Sequence, residues 1–473
     1  MFTFCFLSTA YMAKFIIHLL LLPSLFATVA LAQENSYLRE QLPPEWEEGE
    51  LFEQDAMPDN LWWQNFEDAK LDSLISVAID GNTSVLTAIE NMKKAKAVWR
   101  QSQSNLFPQI GLSLGWQRTR SSGNIAQTQF NEVTEGYYSG AASFNWQADL
   151  FGSIYMRSKA QQRLFQATED EYRGVMLSLC ASIATTYFSI KESVARLAVL
   201  YSNVESQKEI INIVTSRYNS GLASKLDVAQ SKSVYYSTLA QIPSMEAAID
   251  GYRNSLAVLL GVYPDDIRNL EIGGNLPSYV EIIATGVPAN LLRRRPDIRA
   301  AEKRVESAAA ALGATKRDWF PQFYLNGSFG YASQGLKELP RSRSMTWEIA
   351  PSMTWSIFSG GERINATREA RAALEQSILA FNNSTLTAVQ EVESAMSNYK
   401  NSVAQIVATR EAVNQSNETL RLSLELYKQG LVQFQNVLDA QRTALSYQDY
   451  LVQAQGASLK YLVQLYESLG GGW

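Results

Sequence analysis

The residue types that nucleophilic and metal chemistry require are scarce in this chain. It contains one histidine, His18, and two cysteines, Cys5 and Cys180. His18 and Cys5 fall in a predicted export signal, and removal of that signal would leave no histidine for a Ser–His–Asp site, a Cys–His site or an imidazole-bound metal. Cys180 would then have no disulfide partner in the chain, and it lies in the apolar stretch 177–183, so we expect inert core packing. A two-carboxylate site stays formally open, but no acidic pair stands out, and we expect no enzyme, no cofactor and no metal site.

The start of the chain has the layout of a secretory signal peptide. Lys14 precedes the apolar run 15–22, and an Ala-Leu-Ala sequence ends at Ala32. A cationic start, a short apolar core and a small-residue cleavage site predict export, with cleavage after Ala32. The alternative, an uncleaved membrane anchor, is disfavoured because the apolar core is too short to cross a bilayer as a helix. Translation could start at Met1 or at Met12.

The charge of the chain excludes one class of partner. The formal net charge is −6, and loss of Lys14 with the signal makes it −6 − 1 = −7. A mildly acidic protein is a poor match for nucleic acid. The segment after the signal contains no run of about 18 uninterrupted apolar residues, the length that a transmembrane helix needs. We therefore expect any membrane-spanning part to consist of strands.

The sequence contains an internal repeat. The motif Phe-Pro-Gln begins at Phe107 and again at Phe320, Trp146 recurs 209 residues later as Trp355, and the segment 217–222 recurs at the same offset as 426–431. Internal repetition over most of a chain predicts two copies of one structural unit.

Each copy contains two segments with strict alternation of apolar and polar residues. The apolar positions are Ile110, Leu112, Leu114 and Trp116; Tyr138, Ala142, Phe144, Trp146, Ala148 and Leu150; Phe323, Leu325, Phe329 and Tyr331; and Trp347, Ile349, Met353, Trp355 and Ile357. Alternation over about ten residues with aromatic ends is typical of membrane β-barrel strands. A half-buried sheet of a soluble domain is the alternative, and the small or amide character of the polar face favours the barrel. Pro351 predicts a kink or a bulge.

Long helices connect the strand pairs. Apolar residues repeat at heptad spacing at Ile183, Tyr187, Ile190, Val194, Leu197, Tyr201, Val204, Ile211 and Tyr218, and 209 residues later at Val392, Met396, Tyr399, Val403, Ile406, Val413, Leu420 and Tyr427. Steps of three and four over this length predict coiled-coil packing. Gly221 and Gly430 predict tight turns, from which return helices run over about 225–260 and 434–469. Pro243 predicts a kink in the first return helix, whereas its counterpart is Val452.

Four strands cannot close a membrane barrel, since the smallest known types have about eight. An open sheet in lipid leaves its edge N–H and C=O groups unpaired, so the chain must associate around an axis. The residues themselves allow two, three or four copies.

Several motifs resemble the TolC-type outer membrane factors, and specifically the NodT-like branch of efflux outer membrane proteins. They are the segment 61–66 with Asp68, the segments 105–108, 146–152 and 259–261, and the run Leu-Leu-Arg-Arg-Arg-Pro-Asp-Ile-Arg-Ala-Ala-Glu at 291–302. The resemblance implies a mainly helical homotrimer with a twelve-stranded β-barrel in the outer membrane, above a periplasmic coiled-coil tunnel of twelve helices. It also implies a passive exit duct that docks on a periplasmic adaptor and an inner-membrane pump. No cysteine lies near Ala32, so we expect a free N-terminus rather than the lipid anchor that many members of the branch carry.

The resemblance also assigns roles at the two helix–turn–helix tips. The family gate pattern matches Tyr427 and Asp439, but Val432 stands at the arginine position and Asn436 at the second acidic position. Three Asp439 carboxylates around a pore would attract cations, and the alternative is an ordinary exposed helix residue. We expect Tyr218 and Tyr427 to pack in the coiled coil. The resemblance assigns adaptor docking to Gly221, Leu222, Gly430 and Leu431.

The arginine run before Pro296 suggests a ligand site, but a structural role is favoured. Pro296 and Asp297 suit the first turn of a helix, and the arginines can pair with neighbouring helices or with the adaptor.

The predicted segments are a signal peptide at 1–32, an irregular leader at 33–60, repeats at 61–261 and 293–469 joined by a linker at 262–292, and a flexible tail at 470–473. A protein-secretion duct and an exported coiled-coil adhesin remain alternatives. The cargo, the pump and the adaptor are left open.

Overall fold

The chain was analysed as a computed structural model, which describes residues 46, 52–53, 61–120, 134–273, 276–277, 283–286, 288 and 294–471. The predicted signal peptide, Arg293, most of the predicted leader and parts of the predicted linker lie outside the described residues.

Eight helices and six strands organise the described residues. The helices are α1 (Ala69–Gly81), α2 (Thr83–Ser104), α3 (Ser153–Asn219), α4 (Lys225–Leu239), α5 (Gln241–Leu260), α6 (Pro296–Arg317), α7 (Glu362–Lys428) and α8 (Phe434–Ser468). The strands are β1 (Phe52–Glu53), β2 (Gln109–Arg120), β3 (Thr134–Ala148), β4 (Ile283–Ala284), β5 (Gln322–Ser333) and β6 (Met345–Thr354). The leader is not wholly irregular as predicted, because β1 pairs in parallel with β4. Two residues are too few for alternation to show in the sequence.

The predicted duplication is visible in the two long helices. Helices α3 and α7 each contain 67 residues and begin 209 positions apart. At 1.5 Å per residue each reaches about 100 Å. Each begins directly after a glycine with positive φ, Gly152 (φ 76°) and Gly361 (φ 90°), a conformation that side-chain-bearing residues rarely adopt.

The heptad prediction holds in the middle of the long helices and drifts towards the tips. Ile183, Tyr187 and Ile190 are buried, as are their counterparts in α7. Nearer the tip the buried seam of α3 is Leu200, Gln207, Ile210 and Val214, whereas Tyr201 and Tyr218 are exposed. The prediction that Tyr218 packs in the coiled coil is therefore wrong. A helix with 3.6 residues per turn drifts by about 20° per heptad, so a fixed seven-residue frame slides off the buried side.

Pro243 interrupts the first return helix, as predicted. The break lies at Ala240, between α4 and α5, whereas α8 runs unbroken past Val452. A proline cannot donate to the carbonyl four residues earlier and its ring clashes with that carbonyl, which here belongs to Leu239, the last residue of α4.

The four long strands form one antiparallel sheet in the order β2-β3-β5-β6. Its register places all the alternating apolar residues on one face, through pairs such as Ile110 with Phe144, Ala142 with Phe329, and Phe329 with Trp347. This face is exposed, with Ile110 at 81% and Trp347 at 68% of full accessibility. No described element covers this face.

Details of the strand prediction are corrected at three places. The β5–β6 register runs without interruption through Pro351, which pairs with Leu325, so the predicted bulge is absent. Proline is tolerated on an edge strand, and β6 is an edge among the described strands. Strand β3 ends at Ala148, before Leu150, and β6 ends at Thr354, before Trp355 and Ile357; all three residues were predicted to continue their strands.

The largest core lies where α1, α3, α7 and α8 meet. Trp62 is fully buried and stacks on Tyr466 of α8 with ring centroids 5.3 Å apart. Asp68 caps the start of α1 and accepts hydrogen bonds from Tyr187 Oη and Lys191 Nζ, both at 2.7 Å. The motif at 61–68 thus attaches the beginning of the first repeat to the end of the second. Cys180 is buried in this core, and burial raises the pKa of its thiol to about 12, as inert packing requires.

Arg295, the last arginine of the run, has the structural role that was favoured. Arg295 is buried, and its guanidinium pairs with Asp297 at 2.8 Å and with Glu391 of α7 at 2.6 Å. It also donates to the carbonyl of Ser468 at the end of α8. Pro296 and Asp297 occupy the first turn of α6. Arg295 therefore joins the start of α6 to α7 and α8.

Among the described helices, α3 is the one long and apolar enough to cross a membrane by composition. Its most apolar 18-residue window has a mean hydropathy of 1.2, and 61% of that window is buried inside the structure. A core helix passes the same test, so this is weak evidence for a helical span.

Candidate functional site

Two helix–turn–helix tips lie at the end of the molecule far from the sheet. The first joins α3 to α4 and the second joins α7 to α8. Gly221 (φ 74°) and Gly430 (φ 77°) each occupy the left-handed conformation. The N–H of Gly221 donates to Tyr218 and that of Leu222 to Arg217, and the second tip repeats both bonds. This is the Schellman arrangement, which satisfies carbonyls at a helix end and reverses the chain.

The two tips present matching apolar side chains to solvent. Leu222 is 66% exposed and Leu431, its counterpart in the second tip, is 67% exposed. Exposed leucines at equivalent turns fit the predicted docking role, which stays a prediction. The tips differ in the next turn, where Ser224 and Asp227 form a capping box but Gln433 makes no side-chain cap.

A small second core holds the tips together. It consists of Ile210, Val214, Tyr427, Phe434, Val437 and Leu438, with Val432 packed against it. We call this group the tip cluster. Tyr427 lies inside it, with its ring centroid 5.4 Å from that of Phe434. Tyr427 therefore packs in the coiled coil, as expected.

Arg217, which the sequence reasoning did not single out, links the two tips. Its Nη1 donates to the carbonyl of Lys428 at 2.6 Å, and its guanidinium carbon lies 4.9 Å from the centre of the Tyr427 ring. Burial raises the pKa of Tyr427, the charge of Asp227 raises it further, and Arg217 opposes the shift. The available signal was weak: Arg217 is the basic residue in the last turn of α3, and Leu426 stands in its place in α7.

The other predicted gate residues lie apart from Tyr427. Asn436 and Asp439 are exposed and three positions apart on α8, so they share one face of the helix. Gln435 donates to the Asp439 carboxylate at 2.9 Å. The structure thus brings Asn436 and Asp439 together but places Tyr427 inside the tip cluster.

At the opposite end of the molecule, aromatic residues border the apolar face of the sheet. Trp146 Nε1 donates to the carbonyl of Leu106 and Trp355 Nε1 to that of Trp319, both at 3.0 Å. Trp116 and Tyr138 pack together near the other ends of their strands. Tryptophan and tyrosine at both edges of an apolar band are characteristic of the two membrane–water interfaces.

These features can be compared with known proteins. The sequence profile of the outer membrane efflux protein family matches residues 74–262 and 287–471. The chain belongs to this family. The efflux protein is 28% identical over 431 residues to the outer membrane protein OprJ of Pseudomonas aeruginosa, with 90% of each chain covered. It is 30% identical over 412 residues to SrpC, a solvent efflux pump outer membrane protein of Pseudomonas putida, with 86% of each chain covered.

The fold of the efflux protein is also that of a solved outer-membrane channel. The structure of the channel OprN superposes with a TM-score of 0.86 at 26% identity, covering 91% of this chain and 97% of that one. The predicted family, the predicted role as an efflux channel and the predicted outer-membrane location with a large periplasmic part are therefore confirmed.

Proposed function

We propose that three copies of this chain form a passive exit duct, with a closed twelve-stranded barrel on a periplasmic tunnel of twelve helices. The observation that carries the proposal is the sheet, which has an exposed apolar face and two edge strands, β2 and β6, without partners among the described residues. Open edges in lipid leave backbone groups unpaired at several kcal/mol each. Pairing of β6 with β2 of the next copy removes both edges. The number three is taken from the family resemblance.

The helices next to the sheet support the same arrangement. Helix α2 packs on α3, and α6 packs between α3 and α7, so α2 and α7 are the outer members of this layer. On α7, the exposed Leu379 and Leu386 are seven positions apart and therefore lie on one stripe of the helix. An exposed apolar stripe on an outer helix fits contact with α2 of the neighbouring copy.

The partners and the segment roles are part of this proposal. Residues 1–32 direct export, residues 61–261 and 293–469 each supply two strands and one long hairpin, and the tips dock on a periplasmic adaptor coupled to an inner-membrane pump. SrpC is described as a solvent efflux protein, which supports small apolar organic molecules as cargo. The duct itself performs no chemistry.

Cysteine cross-linking tests the assembly. In a Cys180→Ala background, Ser113→Cys in β2 is combined in turn with Ala350→Cys, Ser352→Cys or Thr354→Cys in β6. These positions share the polar face of the sheet but lie on its opposite edges. We expect at least one double variant to run as a trimer on non-reducing gels of outer-membrane fractions, while each single variant does not.

A monomeric, soluble periplasmic product would contradict the duct and favour the alternative of an exported coiled-coil adhesin. A strain that lacks this protein distinguishes the efflux duct from the secretion-duct alternative. We expect the strain to lose resistance to toluene and to antibiotics while its secreted proteins are unchanged, and the reverse pattern would overturn the efflux assignment.

A further inference from the structure

Basic side chains gather at the end of the sheet that is far from the helices. They are Arg118 and Arg120 at the end of β2, and Lys337, Arg341 and Arg343 in the connection between β5 and β6, and all are exposed. We call these residues the basic rim. Because the helices are periplasmic, the rim lies at the outer surface of the membrane. We infer that the basic rim binds phosphorylated lipid headgroups of that surface, an inference that rests on the proposed barrel.

The register of β2 places its arginines on the lipid side. Ile110, Leu112, Leu114, Trp116, Arg118 and Arg120 are successive residues of one face of β2. At 3.3 Å per residue, Arg118 lies about 7 Å and Arg120 about 13 Å beyond Trp116. Trp116 marks the edge of the apolar band, so the arginines stand at the height where headgroup phosphates begin.

Acidic residues of two other strands, Glu135 of β3 and Glu348 of β6, lie on the opposite face of the sheet. Glu135 pairs with Thr119, and Glu348 pairs with Ser328, so both belong to the polar, lumen-directed face. Within the strands, charge is therefore separated, with Arg118 and Arg120 on the apolar face and Glu135 and Glu348 on the polar face. This separation matters more than the net count, because residues 118–135 and 337–343 together contain five basic and three acidic residues.

The connection between β5 and β6 adds cations at the other edge of the sheet. Arg341 and Arg343 lie just before β6, and Arg341 pairs loosely with Glu338 at 3.4 Å, with both side chains exposed. If β6 of one copy pairs with β2 of the next, these arginines approach Arg118 and Arg120 of the neighbouring copy. The barrel then carries a continuous basic belt around its outer edge, which a single chain does not have.

The chemistry of the rim favours a lipid phosphate over free phosphate. Arginine, four of the five basic residues, forms two parallel hydrogen bonds with a phosphate. The adjoining apolar face offers contact to acyl chains, which free phosphate cannot use. Anionic lipid surfaces attract clusters of basic residues in the same way on other membrane proteins.

Lipid titration tests the inference. The purified full-length trimer in neutral detergent is titrated with bisphosphorylated lipid A and with its dephosphorylated form, and bound lipid is counted by native mass spectrometry. The variant Arg118→Gln/Arg120→Gln/Arg341→Gln/Arg343→Gln is compared with a control of equal charge change at exposed positions outside the sheet and outside α2 and α7, Lys208→Gln/Lys232→Gln/Arg268→Gln/Arg304→Gln. We expect the rim variant to bind bisphosphorylated lipid A about tenfold or more weakly, and the control to bind it like the native protein.

The remaining arms use the native protein, so a variant that fails to assemble does not leave the question open. Binding should fall on removal of the lipid phosphates and in 0.5 M salt (roughly a 4 Å screening length). Millimolar inorganic phosphate should not displace the lipid. Equal binding of dephosphorylated lipid, or unchanged binding by a trimeric rim variant, would overturn the inference while leaving the duct intact. Absence of a trimer in the native protein would instead overturn the proposed function.

Discussion

Arg217 and Tyr427, which lie 210 positions apart in the chain, join the two hairpin tips. The Arg217 guanidinium lies over the Tyr427 ring at 4.9 Å and donates to the carbonyl of the next residue, Lys428. The position at which the family gate pattern has an arginine is Val432, which packs on the tip cluster. The cation that holds this tip is therefore supplied from the first hairpin.

Loss of this contact should loosen the tips. Arg217→Ala removes a cation–π contact and a charged hydrogen bond, together about 2 kcal/mol. We expect a higher basal conductance in planar bilayers and faster proteolysis at the turns. Arg217→Lys should recover only part of the effect, since an ammonium cannot stack as a planar group. Leu426→Ala, at the matching position of α7, is the control, and equal behaviour of Arg217→Ala and Leu426→Ala would refute the link.

Asp439 provides the test of the predicted cation ring. If three Asp439 carboxylates face the pore, Asp439→Asn should lower the preference of the channel for cations over anions, measured as the reversal potential in a salt gradient. The matched control is Asp250→Asn, because Asp250 is an exposed carboxylate on α5. An unchanged reversal potential in Asp439→Asn would place the carboxylate away from the pore.

The Asp68 cap predicts a loss of stability in acid. Burial raises the pKa of Asp68, but the hydrogen bonds from Lys191 and Tyr187 outweigh it, so the net pKa is lowered. A lowered folded-state pKa stabilises the protein above the unfolded value of about 3.9, and that contribution is lost as the pH falls through the folded-state pKa. Asp68→Asn should therefore be less stable at pH 7, by about 3 kcal/mol because Lys191 stays buried without its partner. It should also lose less stability between pH 5 and pH 2.

Asp72 supplies the control for this measurement, which is made by denaturant unfolding. Burial and the neighbouring Asp68 charge raise the pKa of Asp72. Asp72→Asn removes that unfavourable charge, so it should be neutral or slightly stabilising at pH 7. Destabilisation of the two variants by the same amount would argue against a specific role for the Asp68 pairs.

Arg295 should contribute more to stability than a surface arginine of the same helix. Arg295→Met leaves Glu391 and the carbonyl of Ser468 without their partner, and we expect a loss of about 3 kcal/mol in unfolding free energy. Arg304 pairs with Glu171 in solvent, so we expect Arg304→Met to lower the unfolding free energy by less than about 1 kcal/mol. The two variants are compared by the heat stability of their assemblies on gels. Similar losses for both variants would contradict the central position of Arg295.

Local patterns carried the prediction of the elements. The alternation at Ile110–Trp116 and the turn at Gly221 each depend on residues close in sequence, and each predicted the correct structure. The repeat offset of 209 came from comparing distant segments, and it predicted the two matching long helices. Pro351 failed as a bulge signal, because the effect of a missing donor depends on which neighbouring strand it faces and not on the strand itself.

The lengths of the long helices and the faces of the strands could be predicted from the amino-acid sequence, because periodicity and turn chemistry are properties of short segments. The duplication could also be predicted, because it is visible when the two halves of the sequence are compared. Three outcomes required the three-dimensional structure: Tyr427 is buried while Tyr218 is 42% exposed, Arg217 crosses between the hairpins, and no described element covers the apolar face of the sheet. These outcomes depend on how straight helices drift against each other and on contacts between residues some 200 positions apart. No local pattern encodes such contacts.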